Sequence, residues 1–240
     1  MNNTTYNTKN IDKNIEKLET DISTAQKIKL IKEIYNTSKY GQEQLLNLLI
    51  NRRIFKETNM SIIDSLVFKK LFNTEYNDLK KKLDQYFPEG IIKLHNNLKI
   101  NYQPLQDLLI TQKFQEADKL TQKYLCELAG LNNLNTRKWL YFTDISLIPS
   151  EDLLYIDLLW RTYSLEKFGF SIQRKIWLMH KCKWTILWQK IGWTVKGIPC
   201  RYPDEFIWNT NAPKGHLPLF NQLRGMQVLS ALFKHKVWEQ

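Results

Sequence analysis

Cysteine is scarce in this chain. Cys126, Cys182 and Cys200 are the three present, far apart and without CxxC or Cys/His spacing. That excludes a disulfide framework and a structural zinc site and points to a reducing setting. Glycine and proline are also few, 8 and 7 in 240 residues, too few for the many turns of a β-sandwich or barrel. No apolar run approaches the roughly 18 residues of a membrane-spanning helix. GxSxG, HExxH, P-loop and GxGxxG motifs are all missing. The four histidines, His95, His180, His216 and His235, are scattered and form no ligand set. Neither catalysis nor a bound metal is therefore expected. Residues 1–10 are polar and rich in Asn and Thr, without the apolar core of a signal peptide or the Arg/Ser-rich character of a transit peptide, so synthesis in the compartment of action is expected. Acidic residues are the minority charge, 24 against 35 Lys and Arg, which gives +11 and a pI near 9.4. A nucleic acid, an anionic membrane surface and a carboxylate-bearing small molecule are all compatible with that excess.

Apolar periodicity is plentiful. With 43% hydrophobic residues the chain can bury a core, as one large domain or two small ones. Ile11, Ile15, Leu18 and Ile22 recur at helical spacing, and so do Ile28, Ile31 and Tyr35. Gly41 precedes the block Leu45, Leu46, Leu48, Leu49 and Ile50, with Arg52 and Arg53 at its C-terminal end. Ser61 or Asn59 can cap a helix carrying Ile62, Ile63, Leu66, Val67 and Phe68. The next, with Leu79, Leu83 and Phe87, stops at Pro88-Glu89-Gly90. These helices predict an N-terminal helical bundle over residues 1–97, and residues 91–102 read as the link to a second domain at 98–240.

In that second domain Pro104 fits the first turn of a helix with Leu105, Leu108 and Leu109. Ala117, Leu120, Tyr124 and Leu128 share a face of the following helix, closed by Gly130. Ser150 is expected to cap a helix that puts Glu151 and Asp152 at its positive end, which explains that carboxylate pair without catalysis. Ser171 is expected to cap another helix, and Gly192 to close the one after it. Four prolines, Pro199, Pro203, Pro213 and Pro218, then rule out regular helix until about Asn221. A long loop so rich in aromatic and apolar residues reads as functional.

Residues 160–240 hold thirteen Lys/Arg against four Asp/Glu, together with most of the tryptophans. Aromatic and basic side chains so mixed suit single-stranded nucleic acid, whose bases stack while cations track phosphates. They equally suit a porphyrin lying on an apolar floor with its propionates on Lys or Arg. A membrane-surface face around Trp184–Trp193 is a third use. The plainer account makes each Trp core and each cation solvated surface, and by spacing alone it is favoured for any single Trp. His216, inside the proline-rich loop, could bond a ligand carboxylate or a porphyrin metal, although a hydrogen bond that orders the loop is the simpler expectation.

Several runs nevertheless resemble the genomes-uncoupled-four family. They are Phe114-Gln-Glu-Ala117-Asp118, Asp144-Ile-Ser-Leu-Ile-Pro149-Ser-Glu151-Asp152-Leu153, Ile156-Asp157-Leu-Leu-Trp160, Tyr163-Ser164, Phe168-Gly169-Phe170-Ser171-Ile-Gln173, Gly192-Trp193 and Ala212-Pro213-Lys214-Gly215-His216-Leu217-Pro218. The likeness covers roughly residues 98–235, and residues 1–97 are similar to the extra helical domain of the cyanobacterial and plastid-encoded branch. It implies an all-α protein, a helical bundle followed by an all-helical core shaped like a cupped hand. It further implies binding of protoporphyrin IX or Mg-protoporphyrin IX by a monomer and stimulation of magnesium chelatase through its large porphyrin-binding subunit in chlorophyll biosynthesis. No catalysis and no nucleic acid are implied, while peripheral membrane association is compatible. Phe142, Ile148, Pro149, Trp193 and Trp208 would form the floor, and the stretch from Lys214 to Met226 the rim. Lys214 and Arg224 would take the propionates, with Leu217, Pro218, Phe220 and Leu223 over the macrocycle and His216 also among the porphyrin-binding residues. One departure puts a wall in doubt: where the family pattern has Gly-x-Trp, Gly197 is followed by Ile198-Pro199. Abundant Asn, Lys and Ile, with no transit peptide, fit a plastid-encoded protein or a cyanobacterial cytoplasmic one.

Overall fold

The structure, a computed structural model, describes residues 2–94, 97–131, 137–219 and 226–239. The chain is all-α, with one two-stranded hairpin among the described residues, and divides into two compact units, Met1–Lys93 and Leu94–Gln240.

The first unit comprises α1 (Asn2–Glu19), α2 (Thr24–Thr37), α3 (Lys39–Ile50), α4 (Ile62–Phe72) and α5 (Asn77–Tyr86). Ile22, grouped by spacing with the first helix, lies beyond its end, because the chain turns to reach Ser23, whose side chain and Gln26 form a capping box for α2. Helix α3 is the hub and packs against α1, α2, α4 and α5, so Leu45, Leu46, Leu48, Leu49 and Ile50 are all buried. The approach of α2 to α3 requires glycine at position 41, since a Cβ there would collide with the Ile34 carbonyl oxygen. After α3 a single π-type turn, Asn51–Phe55, brings Arg52 onto Asp64. The guanidinium donates from Nε at 2.6 Å and from Nη2 at 3.1 Å, and Asp64 also accepts from the Ser61 backbone at 3.0 Å. One buried carboxylate thus closes the α4 cap and neutralises an arginine.

The second unit comprises α6 (Gln103–Ile110), α7 (Phe114–Leu128), a 3₁₀ segment (Phe142–Leu147), α8 (Ser150–Tyr163), α9 (Phe170–Met179), α10 (Trp184–Lys190), β1 (Thr194–Val195), β2 (Ile198–Pro199), α11 (Met226–Phe233) and a 3₁₀ turn (Lys236–Glu239). Phe114, Trp160 and Phe168 interlock at its centre with ring centroids 5.4–6.5 Å apart, and the Trp160 indole donates to the Thr121 hydroxyl at 3.0 Å. Two predicted caps take another form. Ser150 is the first helical residue, not the cap, and its hydroxyl is buried without a partner. Ser171 lies inside α9, and Asp157 of α8 accepts from its backbone and hydroxyl at 2.8 and 2.6 Å. A carboxylate remote in sequence has taken over the capping work that a local serine was expected to do. Asp152 is buried and structural, accepting from the Tyr102 hydroxyl at 2.9 Å and the Lys99 backbone at 3.0 Å. Lys196 and Gly197 have φ of 52° and 82°, as the two-residue turn joining β1 to β2 requires.

Candidate functional site

Helix α11 is amphipathic in an informative way. Val228, Leu229, Leu232 and Phe233 are buried, whereas Met226, Gln227, Ser230, Ala231 and, just beyond its end, Lys234 share the opposite face at helical spacing. That second face lines a groove of about 490 Å³, completed by Phe142 of the 3₁₀ segment and Trp184 at the start of α10. The volume lies within the range of small-molecule sites.

The walls are held in place from behind. Trp184 stacks on Phe233 at 5.9 Å with an interplanar angle of 11°, and both rings meet Trp177, at 5.0 and 5.5 Å. Arg174 donates to the Phe233 carbonyl at 2.7 Å, satisfying the C-terminal end of α11. His235 is buried and bonds the Ile148 carbonyl at 3.2 Å, tying that end to the end of the 3₁₀ segment. Burial pushes the His235 imidazole below its ordinary range, with the Ile148 bond acting in the opposite sense. Asp144 fixes the start of the 3₁₀ segment: it accepts from Arg137 at 2.6 Å and from the Tyr141 backbone at 2.6 Å, and both bonds draw its carboxyl down. Against this rigid backing Phe142 is 53% and Met226 45% exposed. Two exposed apolar side chains thus stand on a wall whose backbone is tied from behind.

The proline-rich stretch behaves differently. Arg201 to Leu219 has no helix or strand, yet it is closely tied to the helices. Gly169 donates to the Leu217 carbonyl at 3.0 Å, Gln173 to the Gly215 and Pro218 carbonyls at 2.9 and 2.8 Å, and the Trp193 indole to the His216 carbonyl at 2.8 Å. His216 Nδ1 bonds the Ile191 carbonyl at 2.6 Å while Nε2 accepts from the Ile207 backbone at 3.1 Å. Those partners require the neutral tautomer protonated on Nδ1. Burial agrees, holding the imidazole below its ordinary range. Gly192 has φ +73°, and a Cβ there would stand 2.9 Å from Pro213.

The predicted site residues therefore separate. Phe142 and Met226 line the groove. Ile148 is buried beside it and contributes its carbonyl, and Pro149 precedes α8 as its cap. Trp193, His216, Leu217 and Pro218 are buried in the loop network, so they frame the unit rather than offer a surface, and with both ring nitrogens engaged His216 reaches neither a propionate nor a metal. Trp208 is half-buried with its indole on the Pro203 carbonyl at 3.0 Å, and Lys214 is exposed. Phe220, Leu223 and Arg224 lie outside the described residues. Trp184, Gln227, Ser230, Ala231 and Lys234 also line the groove and were not among the residues predicted for the site. For Gln227, Ser230, Ala231 and Lys234 the available signal is the face of α11 opposite its apolar stripe; Trp184, on α10, carries no such signal.

Three of the tryptophans that could have stacked on nucleic-acid bases are core instead: Trp160, Trp177 and Trp193 are 0%, 6% and 2% exposed. Inside the proposed membrane-surface stretch Trp184 packs on Phe233 and Trp193 is buried. Among the described residues no helix is long and apolar enough to cross a membrane, and no His/Cys/Asp/Glu group could hold a metal ion.

Residues 95–236 match the family described as GUN4-like. An uncharacterized protein ycf53 of Pyropia yezoensis is 47% identical over 214 residues, covering 89% of this chain and 90% of its own. A chloroplastic tetrapyrrole-binding protein of Arabidopsis thaliana is 38% identical over 140 residues, covering 55% of this chain and 52% of its own. The solved structure of GUN4 from Chlamydomonas reinhardtii superposes with a TM-score of 0.56 at 37% identity, over 61% of this chain and 95% of that one.

Proposed function

This chain belongs to the GUN4-like family, and on that premise we propose that it binds a tetrapyrrole, without transforming it, in the groove between the Phe142–Leu147 segment and α11. The observation that carries this reading is the exposed Phe142 and Met226 on a preorganised wall containing Trp184. A flat macrocycle suits such a surface. Burying about 300 Å² of it at ~25 cal/mol/Å² contributes on the order of 7 kcal/mol, opposed by the entropy of association. Among the described residues that line the groove Lys234 is the cation, and it suits one propionate; Lys214 and Arg224 are the other candidates. Exposed ion pairs add only roughly 0.2–1 kcal/mol each, so apolar contact sets affinity and the cations set orientation.

The ligand is protoporphyrin IX or Mg-protoporphyrin IX, and the role is that of a non-catalytic carrier and regulator that stimulates magnesium chelatase through its large porphyrin-binding subunit in chlorophyll biosynthesis. Support comes from the family and from the tetrapyrrole-binding name of the Arabidopsis relative. The ycf53 and chloroplastic relatives support a plastid setting. Titrating the full chain with protoporphyrin IX should quench Trp fluorescence, because Trp184 lines the groove, and should shift the ligand's Soret band, with saturation at micromolar concentration. No spectral change at tens of micromolar protein removes the proposal. Adding the loaded chain to magnesium chelatase should raise its rate, and an unchanged rate removes the regulatory part alone.

A further inference from the structure

A second cavity, of about 340 Å³, lies within the first unit, where the α2–α3 and α4–α5 connections come together. Tyr35 and Asn36 at the end of α2, Gln42 of α3, and Asn73, Glu75 and Tyr76 between α4 and α5 line it. Its floor is a buried polar network. Gln42 is 8% and Thr74 1% exposed, the Thr74 hydroxyl donates to Gln42 Oε1, and Gln42 Nε2 donates to the Tyr35 carbonyl at 3.2 Å. Two lining amides are thereby oriented with bonding capacity to spare. Among the described residues Gln42 Nε2 makes that one bond, and Asn73, whose Nδ2 donates to the Lys69 carbonyl at 2.8 Å, keeps its side-chain oxygen. Both tyrosines carry an ammonium: Lys39 lies 5.6 Å from the Tyr76 ring centroid and Lys70 4.3 Å from that of Tyr35. Lys39 is neutralised by Asp78 at 2.7 Å. Lys70 is half-buried beside Lys32 of α2, and among the described residues neither forms an ion pair. Burial, and after it the charge of Lys32, draws the Lys70 ammonium down from its ordinary range. Two like charges held together without a counter-ion favour an anion beside them.

We propose that this cleft binds a nucleotide, with the base against Tyr35 and Tyr76, the ribose at Glu75 and the phosphate at Lys70 and Lys32. Each part of the ligand meets a group suited to it. Aromatic rings stack on any base, and Asn or Gln amides pair a donor and an acceptor with a base edge. A carboxylate accepts from ribose hydroxyls, as acidic residues of dinucleotide sites do. Lysine serves phosphate as a point charge. Other ligand classes match only part of the lining. A neutral sugar would use the rings and amides and leave the two lysines without an anion, whereas inorganic phosphate would neutralise the lysines and leave the rings bare. Two rings and one cluster of amides suffice for a single base, so the ligand is a free nucleotide and not a strand.

The test is a titration of the full ¹⁵N-labelled chain with AMP to millimolar concentration, read at the side-chain amide resonances of Asn36, Gln42 and Asn73. Adenosine and ribose 5-phosphate serve as the two halves of the ligand, and Tyr76→Ala and Lys70→Gln as variants, with thermal melting to check that each folds. The expected result is saturable movement of the Gln42 and Asn73 amides by AMP. Tyr76→Ala should weaken AMP on the order of tenfold, the loss of one stacked base. Lys70→Gln should weaken AMP several-fold and leave adenosine unchanged, and should Tyr76→Ala fail to fold, that pair of affinities decides. Absence of amide shifts at millimolar AMP overturns the proposal, as does undiminished AMP affinity in a folded Tyr76→Ala chain. Ribose 5-phosphate bound as well as AMP would reduce the cleft to an anion site and overturn it too. So would an oligoadenylate that binds where AMP does not.

Discussion

Substituting Trp184 and Lys234 separately divides the binding energy of the groove into apolar and ionic parts. Trp184 lines the groove while also packing on Phe233 and Trp177. If about 80 Å² of indole meets the macrocycle, Trp184→Ala forfeits ~2 kcal/mol, on the order of thirtyfold in Kd. Lys234→Ala removes one solvent-exposed ion pair and should cost at most about fivefold, more at low salt than at high. Soret absorbance of bound protoporphyrin IX is the assay, because it does not depend on the indole being deleted. Far-UV circular dichroism and thermal melting of each variant separate a lost contact from a lost fold, and Trp184→Phe should recover most of the affinity. A Lys234→Ala penalty larger than that of Trp184→Ala, or affinity that collapses in moderate salt, would refute the argument that apolar contact dominates.

Two further outcomes concern stability. Burial holds His216 below its ordinary value of 6.5, so its stabilising contribution is complete above that value and is lost as the pH falls below it; between pH 6.5 and pH 5 this residue should remove at most about 1.4 kcal/mol of unfolding free energy per pH unit, read as a falling melting temperature, and His216→Gln should make that part of the profile less steep, leaving the parallel contribution of His235. Asp64→Ala should lower stability in urea by about 3 kcal/mol, through the lost cap and the partly buried Arg52 left without its anion, and a change under 1 kcal/mol would contradict the pairing.

Helices were legible because apolar period is a local property. Leu45 to Ile50 announce the buried hub α3, and Ser61 its neighbour's cap, from a few adjacent residues. Ser171 misled for the complementary reason: the group that satisfies the start of α9 is Asp157, reached only through folding. The tight binding of the proline-rich stretch was equally hidden, since Asp118 meets Leu219 across 101 residues. For the site, the family likeness directed attention to Phe142 and Met226, which do share a groove, and to Trp193, His216 and Leu217, which are interior. Spacing alone had favoured core positions for the tryptophans, and Trp160, Trp177 and Trp193 are core.

Filling the groove tests its role most directly. Ala231 is half-buried on the groove-facing side of α11, and Ala231→Trp would project an indole into the space assigned to the macrocycle. The account predicts that this chain keeps the melting temperature and far-UV spectrum of the parent while the Soret shift of protoporphyrin IX disappears. Unchanged porphyrin affinity in a folded Ala231→Trp chain would contradict it.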